Sequence, residues 1–180
     1  MTFERTGGGE AWKGKIITVR VDRYVHDDDG EEVEREMVVH PGAVAMVAHD
    51  GEALYLVRQP REAVGEQALL EIPAGKLDEE GEEPLDTAKR ELIEEIGKGA
   101  REWEHLTTAL ASPGFTDEKY HLFLATNLYD AEPDEDPEEN ERIEIVEWPL
   151  AELDEAIEQI TDAKSLIALL WFRAYRRADG

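Results

Sequence analysis

Residues 75–97 read GKLDEEGEEPLDTAKRELIEEIG, and this stretch decides the fold. Pro84 suits the first turn of a helix, and Gly97 suits its end. Between them Leu85, Ala88, Leu92 and Ile96 recur every three or four residues, which predicts an amphipathic helix over 84–97. At about 100° per residue this stripe faces a core, and Glu91 and Glu95 lie one turn apart beside it. Glu94 projects elsewhere, four residues after Arg90, where the two can pair. Like charges one turn apart weaken a bare helix by a few tenths of a kcal/mol (~0.2–0.5). A hard divalent cation would offset that, because it takes carboxylate oxygens. The competing reading is a solvated acidic face.

Outward from the helix the chain alternates short strands and turns. Residues 15–25 and 33–39 read as a hairpin around Asp27-Asp28-Asp29-Gly30. Residues 42–48 (GAVAMVA) form an apolar run, read as a strand buried on both faces, followed by a strand at 53–58. Further strands are expected at 69–72, 103–110, 119–127 and 143–148, with helices near 150–160 and 163–177. The Gly-rich residues 1–11 are expected to fray, and 130–142 to form an acidic loop. Strands with a few helices indicate an α/β protein with a mixed sheet covered on both faces.

The chain has 180 residues, 44 Asp+Glu, 19 Lys+Arg and no Cys. A net charge of −25 disfavours nucleic acid and anionic membranes as partners, since both need a basic surface. The missing cysteines exclude disulfides and thiolate sites. The N-terminus does not read as a signal peptide, and a cytoplasmic location is expected. The acidity is concentrated. Residues 75–97 hold nine acids and three bases, net −6, and residues 130–144 hold nine acids and one base, net −8.

Glu82, then seven residues, then Arg90-Glu91-Leu92-Ile93-Glu94-Glu95-Ile96-Gly97, resembles the box of the Nudix hydrolases. There are two departures. Six residues rather than five separate Gly75 from Glu82, and Lys98 stands where an aliphatic residue is usual. The segments 35–47, 56–62, 69–78, 111–125 and 162–170 also look like the ADP-ribose pyrophosphatase branch, with Pro113 sixteen residues past the box. The resemblance covers about residues 12–175. It implies a Nudix-fold α/β/α sandwich (41–180) with an N-terminal antiparallel β extension (1–40) that mediates a homodimer. It also implies Mg²⁺-dependent hydrolysis of ADP-ribose to AMP and ribose 5-phosphate, with Mn²⁺ as a substitute. The alternatives are the same chemistry on another nucleoside diphosphate sugar, such as GDP-mannose, and a non-catalytic Nudix domain that senses a nucleotide, against which the full set of box glutamates argues.

By that resemblance Glu91, Glu95, Glu141 and the Ala74 carbonyl are metal ligands, and Glu139 is the general base, with Glu138 its rival. Glu94 is a third ligand or the partner of Arg90. Arg61 is the candidate phosphate contact, and Pro113, Gly114 and Glu118 border the substrate. Glu71 bonds a ribose hydroxyl or merely ends its strand. Tyr24 and Trp12 are candidates for stacking on adenine.

Overall fold

The computed structural model describes residues 2–79, 81–133 and 142–178. The chain divides into two compact units: one of residues 1–42 and 110–119, the other of residues 43–109 and 120–180.

The larger unit is built on a mixed sheet. Its path runs β10 (Glu144–Pro149), β5 (Ala53–Arg61), β4 (Ala43–His49), β9 (Lys119–Asp130), β8 (Lys98–Leu110). Strand β4 is parallel to β9 and antiparallel to β5, and β5 is antiparallel to β10. Two short strands join from the side: β6 (Glu66–Glu71) pairs with β5 and β7 (Ala74–Lys76) with β4, both antiparallel.

The apolar run of β4 is explained by period-2 alternation between two cores. Val44, Met46 and Ala48 face α1 (Pro84–Ile96), where they meet Ala88, Leu92 and Ile96. Ala45 and Val47 face the opposite core, formed with α2 (Leu153–Gln159) and α3 (Ala163–Ala178) through Leu153, Ile157, Leu169 and Phe172. Helices thus cover both faces, as the sequence predicts. Helix α1 buries the expected stripe. Its Leu92 is fully enclosed, where truncation to Ala costs about 2–5 kcal/mol. Pro84 is at its start, and Gly97 caps its end in the left-handed region (φ 65°), its N–H bonded to the Ile93 carbonyl at 2.9 Å.

The smaller unit holds an antiparallel three-stranded sheet, β1 (Phe3–Lys13), β2 (Thr18–His26) and β3 (Glu32–Val39). The hairpin β2–β3 agrees with the sequence reading. Residues 3–13 do not fray. They pair along β2 from Phe3 opposite His26 to Lys13 opposite Thr18, with register shifts at Arg5/Gly7 and Glu10/Trp12. Two interactions pin the strand. Arg5 reaches the enclosed Asp22 at 2.8 Å, and Gly8 (φ 105°) lies so close to β2 that a Cβ would strike its backbone. The segment 110–119 joins this unit through β3: Val38 N–H donates to the Phe115 carbonyl at 2.7 Å.

Candidate active site

The approach to helix α1 is fixed residue by residue. Ile72 N–H donates to Ser165 Oγ at 3.0 Å, and the Pro73 carbonyl accepts from Met46 N–H at 2.9 Å. Ala74 N–H donates to the Glu95 carboxylate at 2.8 Å. At Gly75 a Cβ would overlap the Glu91 carboxyl group, so only glycine lets that side chain lie against the backbone. The short strand β7 therefore brings the Ala74–Gly75 peptide against both glutamates that the helical spacing singles out. Glu95 is 8% exposed, so its charge is held where solvent screening is weak.

Arg90 ties the acidic groups around it. Its Nη1 donates to Glu91 Oε1 at 3.0 Å and to Glu94 Oε2 at 2.9 Å, and its Nη2 donates to Glu82 Oε2 at 3.2 Å. Burial alone would ease proton loss from Arg90, but the three carboxylates outweigh it and raise its pKa further above the usual arginine range. The buried Thr87 donates to the same Glu82 oxygen at 2.9 Å. The extra residue before Glu82 is thus absorbed upstream, in a loop that turns at Gly81 (φ 85°), and leaves the Glu82–Arg90 bond intact. Lys98 also has a local reason. Its ammonium pairs with Asp130 and lies over the Tyr55 ring, 5.5 Å from its centre, so a carboxylate and an aromatic face both offset its charge.

Beside this cluster Glu71, 1% exposed, accepts from Arg61 Nε at 2.6 Å and Nη2 at 2.9 Å. Lys164 donates to its second oxygen and also meets Asp162 at 3.0 Å. Asp162 caps α3, accepting from Ser165 N–H at 3.0 Å and from the Ser165 hydroxyl. Burial pushes the Glu71 pKa up, but the Arg61 and Lys164 bonds outweigh it and hold the group ionised, below its usual 4.5. Glu95 also acts on Arg61 through charge, so the guanidinium lies within electrostatic reach of the helix carboxylates. The sequence reading placed residues 162–170 within the family resemblance but gave Lys164, Asp162 and Ser165 no role. Their one local sign is an Asp-x-x-Ser start before the apolar run of α3, which reads as a cap.

The remaining candidates belong to the smaller unit. Tyr24 on β2 meets Phe3 edge-on at 5.5 Å, and Trp12 on β1 is 56% exposed. Pro113 and Gly114 form a turn closed by Phe115 and Thr116 N–H groups donating to the Ser112 carbonyl. Glu118 Oε1 lies 3.4 Å from His40 Nδ1. Glu138, Glu139 and Glu141 lie outside the described residues.

A family model described as the NUDIX domain matches residues 39–170. The chain belongs to the Nudix family. It is 39% identical over 170 residues to the ADP-ribose pyrophosphatase of Bacillus subtilis, covering 91% of this chain and 89% of the relative. It is 38% identical over 167 residues to the methanol dehydrogenase activator of Bacillus methanolicus, with the same coverage. Among solved structures, a crystal structure of an ADP compounds hydrolase superposes with a TM-score of 0.87. That match covers 100% of this chain and 97% of the other at 24% identity, a likeness of fold.

Nudix hydrolases generally use a divalent metal ion, and the donors here suit one. Glu91, Glu95 and the Ala74 carbonyl are hard oxygen donors, and the missing Cβ at Gly75 gives the Glu91 carboxylate its place. Among the described residues no three His, Asp or Glu side chains converge as a ready-made metal cage. In their present positions Glu91 pairs with Arg90 and Glu95 with Ala74 N–H.

Proposed function

We propose that this chain catalyses Mg²⁺-dependent hydrolysis of ADP-ribose to AMP and ribose 5-phosphate. The observation that carries the reading is the placement of Glu91 and Glu95 against the Ala74–Gly75 peptide, in a chain 39% identical to an ADP-ribose pyrophosphatase over most of both lengths. Glu91, Glu95, the Ala74 carbonyl and Glu141 hold the metal. When bound, Mg²⁺ offsets the charge of the pyrophosphate and makes water more acidic. Arg61 binds a phosphate oxygen, presenting the edge of its guanidinium not used by Glu71. Arg90 bridges Glu91 and Glu94 through one nitrogen and offsets their charge, and Glu94 serves as its partner or as a further ligand.

Water adds across the bridge: one P–O bond forms, the bridging P–O bond breaks, and Glu139 takes the proton of the attacking water. Glu71 acts by holding Arg61, while Pro113, Gly114 and Glu118 border the substrate. The protein works as a cytoplasmic homodimer joined through its N-terminal β extension, with Tyr24 stacking on adenine. The exposure of Phe3 (66%) and Trp12 (56%) on β1 supports an interface there. Mn²⁺ substitutes for Mg²⁺.

The test is hydrolysis of ADP-ribose in ¹⁸O water with Mg²⁺, read by mass spectrometry. AMP and ribose 5-phosphate, one of them carrying a single ¹⁸O, are expected. Equal or better kcat/KM on GDP-mannose would overturn the substrate assignment. Sedimentation showing a monomer would overturn the dimer.

A further inference from the structure

We propose that Lys164 is a positioning residue for the phosphate-binding guanidinium of Arg61, acting through the buried carboxylate of Glu71. The inference rests on the reading of Arg61 as the phosphate contact and adds to it a residue from the distant helix α3.

The geometry forms a closed circuit. Ile72 N–H donates to Ser165 Oγ, Ser165 donates to Asp162, Asp162 pairs with Lys164, Lys164 donates to Glu71, and Glu71 precedes Ile72 in the chain. Arg61 is the only member of the cluster with substantial exposure: its side chain is 39% exposed, against 11% for Lys164, 16% for Asp162 and 1% for Glu71. The circuit thus has one outlet, the guanidinium, and its other charges are enclosed. A carboxylate as deeply placed as Glu71 needs nearly full compensation. With Lys164 present, the second oxygen of Glu71 is shared between an ammonium and Arg61 Nη2. Arg61 then carries part of the neutralisation and keeps charge to offer a phosphate. Without Lys164, Glu71 draws fully on Arg61, and the guanidinium moves inward or loses its orientation. Loss of a positioned cation weakens ground-state and transition-state binding of phosphate alike, so the effect falls on KM more than on kcat.

The experiment compares wild type, Lys164→Met, Lys164→Arg, Arg61→Ala and the double variant Arg61→Ala/Lys164→Met. Each is assayed with ADP-ribose at saturating Mg²⁺, with circular dichroism to verify folding. Lys164→Met is expected to raise KM about 10-fold with kcat within about threefold, and Lys164→Arg to recover most of the loss. In the Arg61→Ala background, Lys164→Met should add less than about twofold, because its effect passes through Arg61. If Arg61→Ala raises KM but Lys164→Met leaves it unchanged, or if the two effects multiply, the positioning role is overturned and the Arg61 reading stands. If Arg61→Ala leaves KM unchanged, the phosphate contact itself fails, and the role of Lys164 with it. Should Lys164→Met not fold, the same comparison is made with Lys164→Gln and Lys164→Arg. Equal KM in both and in wild type overturns the proposal.

Discussion

Replacing Gly75 by alanine separates the cost of folding from the cost of activity. Gly75 is outside the positive-φ region, so its backbone accepts alanine, and the whole effect comes from what the new methyl group meets. It would lie 1.9 Å from the Glu91 carboxyl carbon, whereas ordinary contact begins near 3.4 Å, so Glu91 must move by about 1.5 Å. Leaving its preferred torsions costs about 0.5–1.5 kcal/mol. The 3.0 Å bond to Arg90 is strained or lost, at about 1.5 kcal/mol more. The sum, about 2–3 kcal/mol, lowers the melting temperature by roughly 4–12 °C for a chain of this size and leaves the protein folded at 25 °C. The effect on turnover is larger. Misplacing a catalytic group by about 1 Å costs roughly 100-fold, or about 2.7 kcal/mol of transition-state stabilisation. The assay is kcat for ADP-ribose against Mg²⁺ concentration, beside a thermal melt. Turnover within about threefold of wild type, with an unchanged Mg²⁺ dependence, would refute the claim that Glu91 must lie against the Ala74–Gly75 peptide.

Other outcomes test neighbouring parts. Glu91→Gln and Glu95→Gln should each reduce turnover by about 100-fold or more with little change in melting temperature; normal turnover in either sinks the metal assignment. Thr87→Ala removes a fully buried donor to Glu82, and differential scanning calorimetry should show a loss of about 1–1.5 kcal/mol, or roughly 2–6 °C. The Glu71 pKa is lowered in the folded state. Its stabilising contribution is therefore present above the unfolded value of 4.5 and is lost as pH falls from there through the folded value. The stability gap between wild type and Glu71→Gln, from urea unfolding, should shrink as pH drops below about 4.5; a constant gap from pH 6 to pH 3 contradicts the ion pairing.

What could be read from the sequence follows the range of the interactions. Helix α1 was legible because its stripe, its proline start and its glycine end lie within fourteen residues. The double-sided burial of β4 was legible because alternation between two apolar cores leaves no polar position. Strand β1 was not, because Thr-Gly-Gly-Gly carries no side-chain pattern and its order comes from backbone pairing and from Arg5 on Asp22. Strand β7 is three residues long, too short for any period. The spacing of Glu91 and Glu95 was readable, but not their contact with Gly75, which needs the β4–β7 pairing. The Glu71–Lys164 contact joins positions 93 residues apart, and no local pattern signals it.

That separation sets the order in which the site can be completed during synthesis. The ribosome releases the box helix and its glutamates long before it reaches Ser165. Until that residue has emerged, the Ile72 amide lacks its acceptor and the Glu71 carboxylate has Arg61 but not Lys164. Chains grow from the N-terminus at about 5–20 residues per second, so the nascent protein spends several seconds with the helix present and the Glu71–Ile72 segment short of its α3 partners. Docking of α3 is therefore the closing event of site assembly, and a chain stalled before it would carry the family's signature sequence without its finished geometry.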